Sequence, residues 1–442
     1  MVTAKPHLLL IADLRHASPR WPALAGGLLQ EGWRVTVLTA PIGDDAPERL
    51  GFPMAFSDAA RIVECGPAED IFQPLRNVLW ALGLRRGTSL TSQLKAQLPG
   101  RTGGARGVFE LVFHTTEALL GWPDAYARWR RPATAEALRL VALEEFSVMV
   151  SSSPYPTSHA VAAAVKRKNP ALRWVADFRD LWSQNHGYAM PQWRKRADAY
   201  LERRLLALAE ALVTTSEEWA RILNVHHGKP VAVIRNSFVD YEAPQGDPPP
   251  TALPLMLSYT GVRYPRQQRI APVLHALALL RQRGCSPSDV RLNIVGPHDL
   301  DLAEQASTIG VQDSVAQRGP VSRRAAQRAQ RAAHVLLYLQ WEDPSVDMVS
   351  SLKFWEYLGS GRPMLLTGGH PNGSAERIAT EVNAGVIARN ANDIADALLR
   401  WIEELRHRGH VDSGAHAEKI ARLGTRAILP DLRRVLLPDT LS

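Results

Sequence analysis

His7-Leu8-Leu9-Leu10-Ile11-Ala12-Asp13 and Arg34-Val35-Thr36-Val37-Leu38-Thr39 are two short apolar runs, separated by a helical stretch around Leu24 to Glu31. A run with little polar alternation is the pattern of a strand covered on both faces, and strand, helix, strand in that order joins two parallel strands. The pattern recurs at Phe146-Ser147-Val148-Met149-Val150, Leu172-Arg173-Trp174-Val175-Ala176-Asp177 and Ala211-Leu212-Val213-Thr214-Thr215, so residues 1–242 read as one doubly wound unit. The prolines and glycine of Ala243-Pro244-Gln245-Gly246-Asp247-Pro248-Pro249-Pro250 cannot continue a helix or an interior strand, and they mark a linker over 243–254. A second β/α series occupies 255–414, with strands expected at Met256 to Thr260, Val290 to Val295, Val335 to Leu339 and Met364 to Leu366. A helical tail over 415–442 closes the chain. The fold class is therefore α/β, two Rossmann-like units facing one another across a cleft, the usual place for a ligand in such a fold.

Bulk properties agree with that division. A chain of 442 residues exceeds one ordinary core and suits two domains of roughly 200 residues. There is no charge-free apolar stretch of about 20 residues, and the N-terminus lacks the basic and apolar regions of a signal peptide, so a cytoplasmic chain is expected. Cys65 and Cys285 alone cannot supply a disulfide framework or a cysteine metal site. The net charge of +8 reflects either plain arginine excess or an anionic partner. Zinc-finger spacing, RRM-type aromatics and basic repeats are all missing, so nucleic acid is not expected, and acidic small substrates or an anionic membrane surface fit better.

Residues 71–131 interrupt the alternation. They carry Arg76, Arg85, Arg86, Lys95, Arg101, Arg106, Arg128, Arg130 and Arg131 against Glu110, Glu117 and Asp124, with Trp80, Phe109, Phe113, Trp122 and Trp129 interspersed. Two readings stand: an amphipathic surface for peripheral contact with membrane or a lipid-linked acceptor on the inner face, or helices packed on the first unit with solvated charges.

Ser350-Ser351-Leu352-Lys353-Phe354-Trp355-Glu356-Tyr357-Leu358-Gly359-Ser360-Gly361-Arg362-Pro363 carries the strongest functional signal. Lys353 and Glu356 share one helix face at i, i+3 spacing. Ser350 and Ser351 can cap the helix, whose free N–H groups and positive dipole end suit a phosphate beside the Lys353 charge. Glu356, one turn on, can accept hydrogen bonds from two ribose hydroxyls. The alternative is an ordinary capped helix with Phe354, Tyr357 and Leu358 in the core and Lys353 and Glu356 as a solvated pair.

The block as a whole resembles the nucleotide-sugar site of retaining glycosyltransferases of family 4, which have the GT-B fold. The resemblance implies that Glu356 holds the donor ribose and Lys353 the pyrophosphate, and that the last helix crosses back to the first domain. Met348 stands where that family often has an acidic residue. Trp174-Val175-Ala176-Asp177-Phe178-Arg179-Asp180-Leu181-Trp182, with the loop Ser151-Ser152-Ser153-Pro154-Tyr155-Pro156, resembles a motif of a bacterial subgroup of the family. Its polar strand end lies where α/β sheets place active groups. Asp180 is the candidate to orient or deprotonate the acceptor and Arg179 to fix nearby anionic groups, unless the two form a structural pair closing the loop. Many family members carry His where Arg179 stands. His16, in the loop after the first strand, is the other candidate base, or else polar surface.

In the second unit, Tyr259-Thr260-Gly261-Val262-Arg263-Tyr264-Pro265-Arg266-Gln267-Gln268-Arg269 follows a strand, and the resemblance places pyrophosphate contacts here. Arg263, Arg266 and Arg269 are all eligible, and spacing does not choose among them. Gly296, at the next strand end, and Pro320-Val321, in a turn resembling the family's base-binding turn, are the candidates for the donor base. Asp299 and Asp301 lack a supporting third ligand, and the architecture normally neutralises the diphosphate with helix dipoles and cations, so no metal is expected. No G-x-G-x-x-G motif occurs, so no nicotinamide or flavin cofactor is expected either. The implied activity is retaining transfer of a sugar from a nucleoside-diphosphate donor, as co-substrate, to a hydroxyl or amine acceptor. Its rivals are a nucleotide-sugar epimerase and a non-catalytic nucleotide-sugar-binding subunit.

Overall fold

The computed structural model describes residues 5–15, 19–67, 122–185, 190–243, 246–342 and 351–438. His16, Met348, Ser350 and most of the basic, aromatic segment 71–131 lie outside the described residues. Two wholly parallel sheets carry the chain. The first is ordered β3-β2-β1-β4-β5-β6-β7, with β1 His7–Ile11, β2 Arg34–Thr39, β3 Arg61–Glu64, β4 Val148–Ser152, β5 Trp174–Phe178, β6 Ala211–Thr214 and β7 Val231–Val233. The second is ordered β10-β9-β8-β11-β12-β13, with β8 Leu255–Thr260, β9 Val290–Val295, β10 Val315–Gln317, β11 Val335–Gln340, β12 Met364–Gly368 and β13 Gly385–Ile387.

In each sheet the strand order reverses at the centre, between β1 and β4 and between β8 and β11, which opens a crevice at the carboxyl ends of those strands. Helices cover both faces, so Leu8, Leu9, Leu10 and Ile11 are all fully buried and the strand reads as an unbroken apolar run.

The structure moves two strands relative to the sequence reading. β4 runs two residues further than the apolar pattern, taking in Ser151 and Ser152, and β5 runs one further, to Phe178; Ser151, Ser152 and Asp177 are all buried. These polar groups are tolerated because they satisfy one another: the Ser152 hydroxyl donates to Asp177 at 2.7 Å and the Trp174 indole donates to Ser151 at 2.8 Å. The outer strands β3, β7, β10 and β13 have three or four residues apiece and are only partly buried, so they leave little apolar signal.

The C-terminal helix Thr425–Leu436 packs on the first unit. Ile428, Leu429, Leu432 and Leu436 join the core around Leu24 and Leu28 of the Arg20–Gln30 helix. A side chain at Gly27 would lie 2.8 Å from Leu429, so the small residue permits this approach. The backbone N–H of Thr425 donates to the Phe238 carbonyl at 2.9 Å.

Of the two readings of the 71–131 segment, Trp129 follows the packed one: it is 1% exposed and donates its indole N–H to the Cys65 carbonyl at 3.0 Å. Trp122 is exposed, yet its indole is held by Asp198 at 2.8 Å. Among the described residues no helix is long and apolar enough to cross a membrane.

Candidate functional site

The Leu352–Ser360 helix starts on the carboxyl side of β11, and its apolar positions Phe354, Trp355, Tyr357 and Leu358 are buried against β11 and β12. This leaves Lys353 and Glu356 on the side facing the carboxyl ends of the second sheet. Ser351 occupies the N-cap position with φ −63° and ψ 114°, but its side chain makes no capping bond. Among the described residues no side chain caps these first-turn N–H groups, and the Phe354 N–H donates to the Ser351 carbonyl at 3.1 Å.

Lys353 is held by two neighbours. Its Nζ lies 3.8 Å above the centre of the Tyr259 ring. Gly261, at φ +95°, passes so close that a Cβ there would sit 3.4 Å from both Cε and Nζ. The residue keeps some exposed surface, yet burial of the ammonium pushes its pKa down to about 7, against the opposing pull of Glu356. A cation held in so little water is poised to be recharged by an anion.

Glu356 is also engaged. Arg323 donates to Oε1 at 2.5 Å and Gln330 to Oε2 at 3.3 Å. Gln330 donates in turn to the Thr260 hydroxyl at 3.0 Å, and the Tyr357 hydroxyl accepts from the Thr260 N–H at 2.9 Å. Arg323 and Gln330 were not foreseen from the sequence. Their helix, Arg323–Arg331, reads only as a basic amphipathic segment, and nothing local shows which of its residues reaches Glu356.

The three eligible arginines separate. Arg263 is buried, with Nε on Asp299 and Nη2 on Asp301, both at 2.5 Å, and Nη1 on the Gln268 carbonyl at 3.1 Å. Its donor fork is spent inside the loop. Asp299 and Asp301 are thus the partners of a buried guanidinium. Arg269 lies 3.8 Å from Glu342, and Arg266 is exposed with no ion pair among the described residues, so these two remain available to an anion.

Gly296 is a contact between strand ends: a Cβ there would fall 2.3 Å from the Gly261 carbonyl. It lets the β8 and β9 ends close. Pro320 and Val321 are exposed in the turn before the Arg323–Arg331 helix.

On the facing unit, Asp180 and Arg179 form an ion pair at 3.1 Å, and both backbone N–H groups donate to the Ser153 hydroxyl, at 3.1 and 2.8 Å. The Asp180 carboxylate is 41% exposed, so it is open to a substrate despite the pair. The buried charge of this region lies elsewhere, in a pair the sequence reading missed. Arg20 donates to Asp177 at 3.1 Å with both side chains essentially unexposed, and Asp177 also accepts from Trp21 at 2.8 Å. Arg20 further donates to the Arg235 carbonyl at 3.1 Å and to Asn236 at 3.2 Å, on the segment leading to the second unit. An aspartate ending an otherwise apolar strand was the available signal; its partner lies 157 positions away.

The two units enclose a cavity of about 130 Å³, to which the first contributes Arg20, Asn236 and Glu242 and the second Arg324, Gln330 and Glu356. Beside it the units touch through charge. Glu48 accepts from the Ser322 hydroxyl at 2.7 Å and from Arg328 at 3.0 Å, and Arg324 donates to the Phe52 carbonyl at 2.5 Å.

Comparison with known proteins agrees with this architecture. No curated protein sequence matches the chain. Among solved structures, sucrose-phosphate synthase from Thermosynechococcus elongatus superposes with a TM-score of 0.54 at 14% identity, covering 97% of this chain and 98% of that one. A glycosyltransferase from Rickettsia africae gives 0.54 at 9% identity, covering 99% and 100%. A Listeria monocytogenes protein ascribed UDP-N-acetylglucosamine 2-epimerase activity gives 0.50 at 13%, covering 97% and 95%. At these identities the likeness concerns the fold, which is GT-B. The glycosyl transferase 4-like domain model matches residues 17–237, half of the chain, and the protein therefore belongs to that family and is a glycosyltransferase.

Proposed function

We propose that the protein moves a sugar from a nucleoside diphosphate to a hydroxyl or amine acceptor, with retention at the anomeric carbon and without a metal in the cleft. The observation that carries this reading is the pairing of Lys353, its ammonium brought down to about 7 by burial, with the N-terminus of its helix, which the Ser351 side chain does not cap, and with Glu356 one turn later. Negative charge grows on the diphosphate as the glycosidic bond breaks. Lys353 and the first-turn N–H groups, with Arg266 or Arg269, offer it positive charge from positions fixed before the reaction. Glu356 takes the ribose hydroxyls, exchanging contacts with Arg323 and Gln330 as the nucleoside enters. Asp180, in the loop just after β5 of the first unit, orients the acceptor hydroxyl or takes its proton, with Arg179 holding the carboxylate in place.

A thermal-shift screen against UDP, GDP and dTDP and their sugars tests the donor class. One nucleoside diphosphate should stabilise the protein above the others, and its sugar should release free monosaccharide slowly when no acceptor is present. No stabilisation by any of them would overturn the reading. Glu356→Ala should raise the donor KM and lower turnover in a folded protein, because each hydrogen bond to a charged acceptor is worth about 1.5–3 kcal/mol. Donor affinity equal to wild type would remove Glu356 from the ribose. Asp180→Ala should keep nucleoside-diphosphate affinity and lose transfer by about 10²–10⁴-fold, while acceptor-free hydrolysis falls less. Normal transfer by this variant alongside an inactive His16→Ala would move the base to the first loop.

A further inference from the structure

Outside the lining of the cavity between the units, three metal-ligating side chains converge within the first unit. Glu202 belongs to the Gln192–Leu206 helix, and His226 and His227 end the Glu217–His227 helix. One ligand atom from each lies within 4.8 Å of the others. Glu202 is fully buried, an unusual place for a carboxylate facing imidazoles rather than a lysine or arginine.

The surroundings orient all three groups. One Glu202 oxygen is held from outside by the Ser183 N–H at 3.1 Å, the Ser183 hydroxyl at 2.6 Å and the Gln184 amide at 3.4 Å. Its other oxygen faces His227 Nε2 at 3.2 Å. The His226 ring lies beside the Ala199 backbone, and its Nε2 is buried with no hydrogen-bond partner. A buried imidazole nitrogen without a partner, next to a carboxylate and a second imidazole, is available to a metal ion. The two imidazoles pack edge to face with centroids 4.8 Å apart.

We propose that Glu202, His226 and His227 bind a single divalent transition-metal ion, zinc by ligand chemistry, which ties the Gln192–Leu206 and Glu217–His227 helices together. Two imidazoles and a carboxylate are a donor set zinc accepts, with water in the fourth position. Zinc bonds of about 2.1 Å at tetrahedral angles need donor separations near 3.4 Å. The Glu202–His227 edge already has 3.2 Å, so a small rotation of the His226 side chain completes the triangle. The ion would also fix Ser183 and Gln184 through Glu202, and these residues directly follow the loop that carries Arg179 and Asp180. Its role is to stiffen the chain that follows Arg179 and Asp180, outside the chemistry of the cleft, and this role rests on the proposed function.

The test uses tag-free, full-length protein stripped with a chelator and titrated with ZnCl₂ by calorimetry, and with CoCl₂ by visible absorption. One ion per chain is expected, with a rise in Tm of several degrees at saturating zinc and the visible bands of a tetrahedral Co²⁺ site. His226→Ala, whose metal-free Tm and circular dichroism serve as the folding control, should weaken binding at least about tenfold and abolish those bands. Glu202→Gln gives a second arm that keeps the side-chain shape. Absence of zinc binding or of a Tm shift in the wild type would overturn the proposal whatever the variants do. Equally, stoichiometric binding that His226→Ala and Glu202→Gln leave unchanged would place the ion on other histidines and overturn it.

Discussion

Lys353→Ala should lower both sugar transfer and acceptor-free donor hydrolysis by about 10²–10³-fold, the usual cost of removing one preorganised charge that faces a developing anion. The protein should remain folded, because the ammonium is a burial cost in the free state: burial brings its pKa from the ordinary lysine range to about 7. The same shift predicts a pH dependence whose sign can be worked out. Above about pH 7 the free protein holds Lys353 mostly neutral. A bound diphosphate favours the charged form and raises the pKa, so binding takes up a proton in the window from about 7 to the pKa of the complex. Nucleoside-diphosphate affinity should therefore be flat below pH 7 and fall above it, by up to about tenfold per pH unit. Calorimetry at pH 8 in buffers of different ionisation enthalpy reads the proton directly. Lys353→Ala should abolish the uptake, and a wild type that binds with no proton uptake would take Lys353 out of the diphosphate site.

Asp177→Ala should cost about 3–5 kcal/mol of folding stability, the range for breaking a buried ion pair from one side. Arg20 would be left as a charge with 2% side-chain exposure, and the Trp21 indole and Ser152 hydroxyl would each lose an acceptor. Urea unfolding followed by tryptophan fluorescence measures the loss. A change below about 1 kcal/mol would mean that Arg20 finds full compensation at Arg235 and Asn236. Replacing both partners, as in Arg20→Met with Asp177→Leu, should recover part of the stability, since an apolar pair of similar size removes the desolvation cost while still leaving the Trp21 indole without this acceptor and the Ser152 hydroxyl with only the Ser153 carbonyl. Because Arg20 also holds the segment leading to the second unit, the double variant should show weaker coupling between the units, seen as faster proteolysis between 235 and 254.

The strands that could be read were those buried on both faces. Leu8 to Ile11 and Leu336 to Leu339 sit in sheet interiors, where every position is selected for apolarity, so the chain states its strands without reference to the rest of the fold. The four outer strands were missed because three or four half-covered residues carry no such pattern. The end of β4 was read short for a related reason: Ser151 and Ser152 look like loop until it is seen that they bond Trp174 and Asp177 of β5.

In the site, Lys353 and Glu356 were legible because helix geometry alone puts them on one face. What the neighbours do to them was not. The Tyr259 ring under Lys353 and the Arg323–Glu356 contact join residues 94 and 33 positions apart, and only the closing of the second sheet and its helices brings them together. The three arginines after β8 show the same limit. They are equivalent in sequence, yet Arg263 is withdrawn by Asp299 and Asp301 from the next strand–helix connection, while Arg266 stays exposed.

By itself, then, the sequence determined the two parallel α/β units, the break between them and the helix that presents a cation and a carboxylate, because each depends on local periodicity and on the conformational limits of proline and glycine. The tertiary structure alone decided which charges are buried, which are paired and which remain open to a ligand. Those properties follow from desolvation and from contacts between residues distant in the chain, as with Arg20 and Asp177 or Glu202 and His226, and no local pattern encodes them.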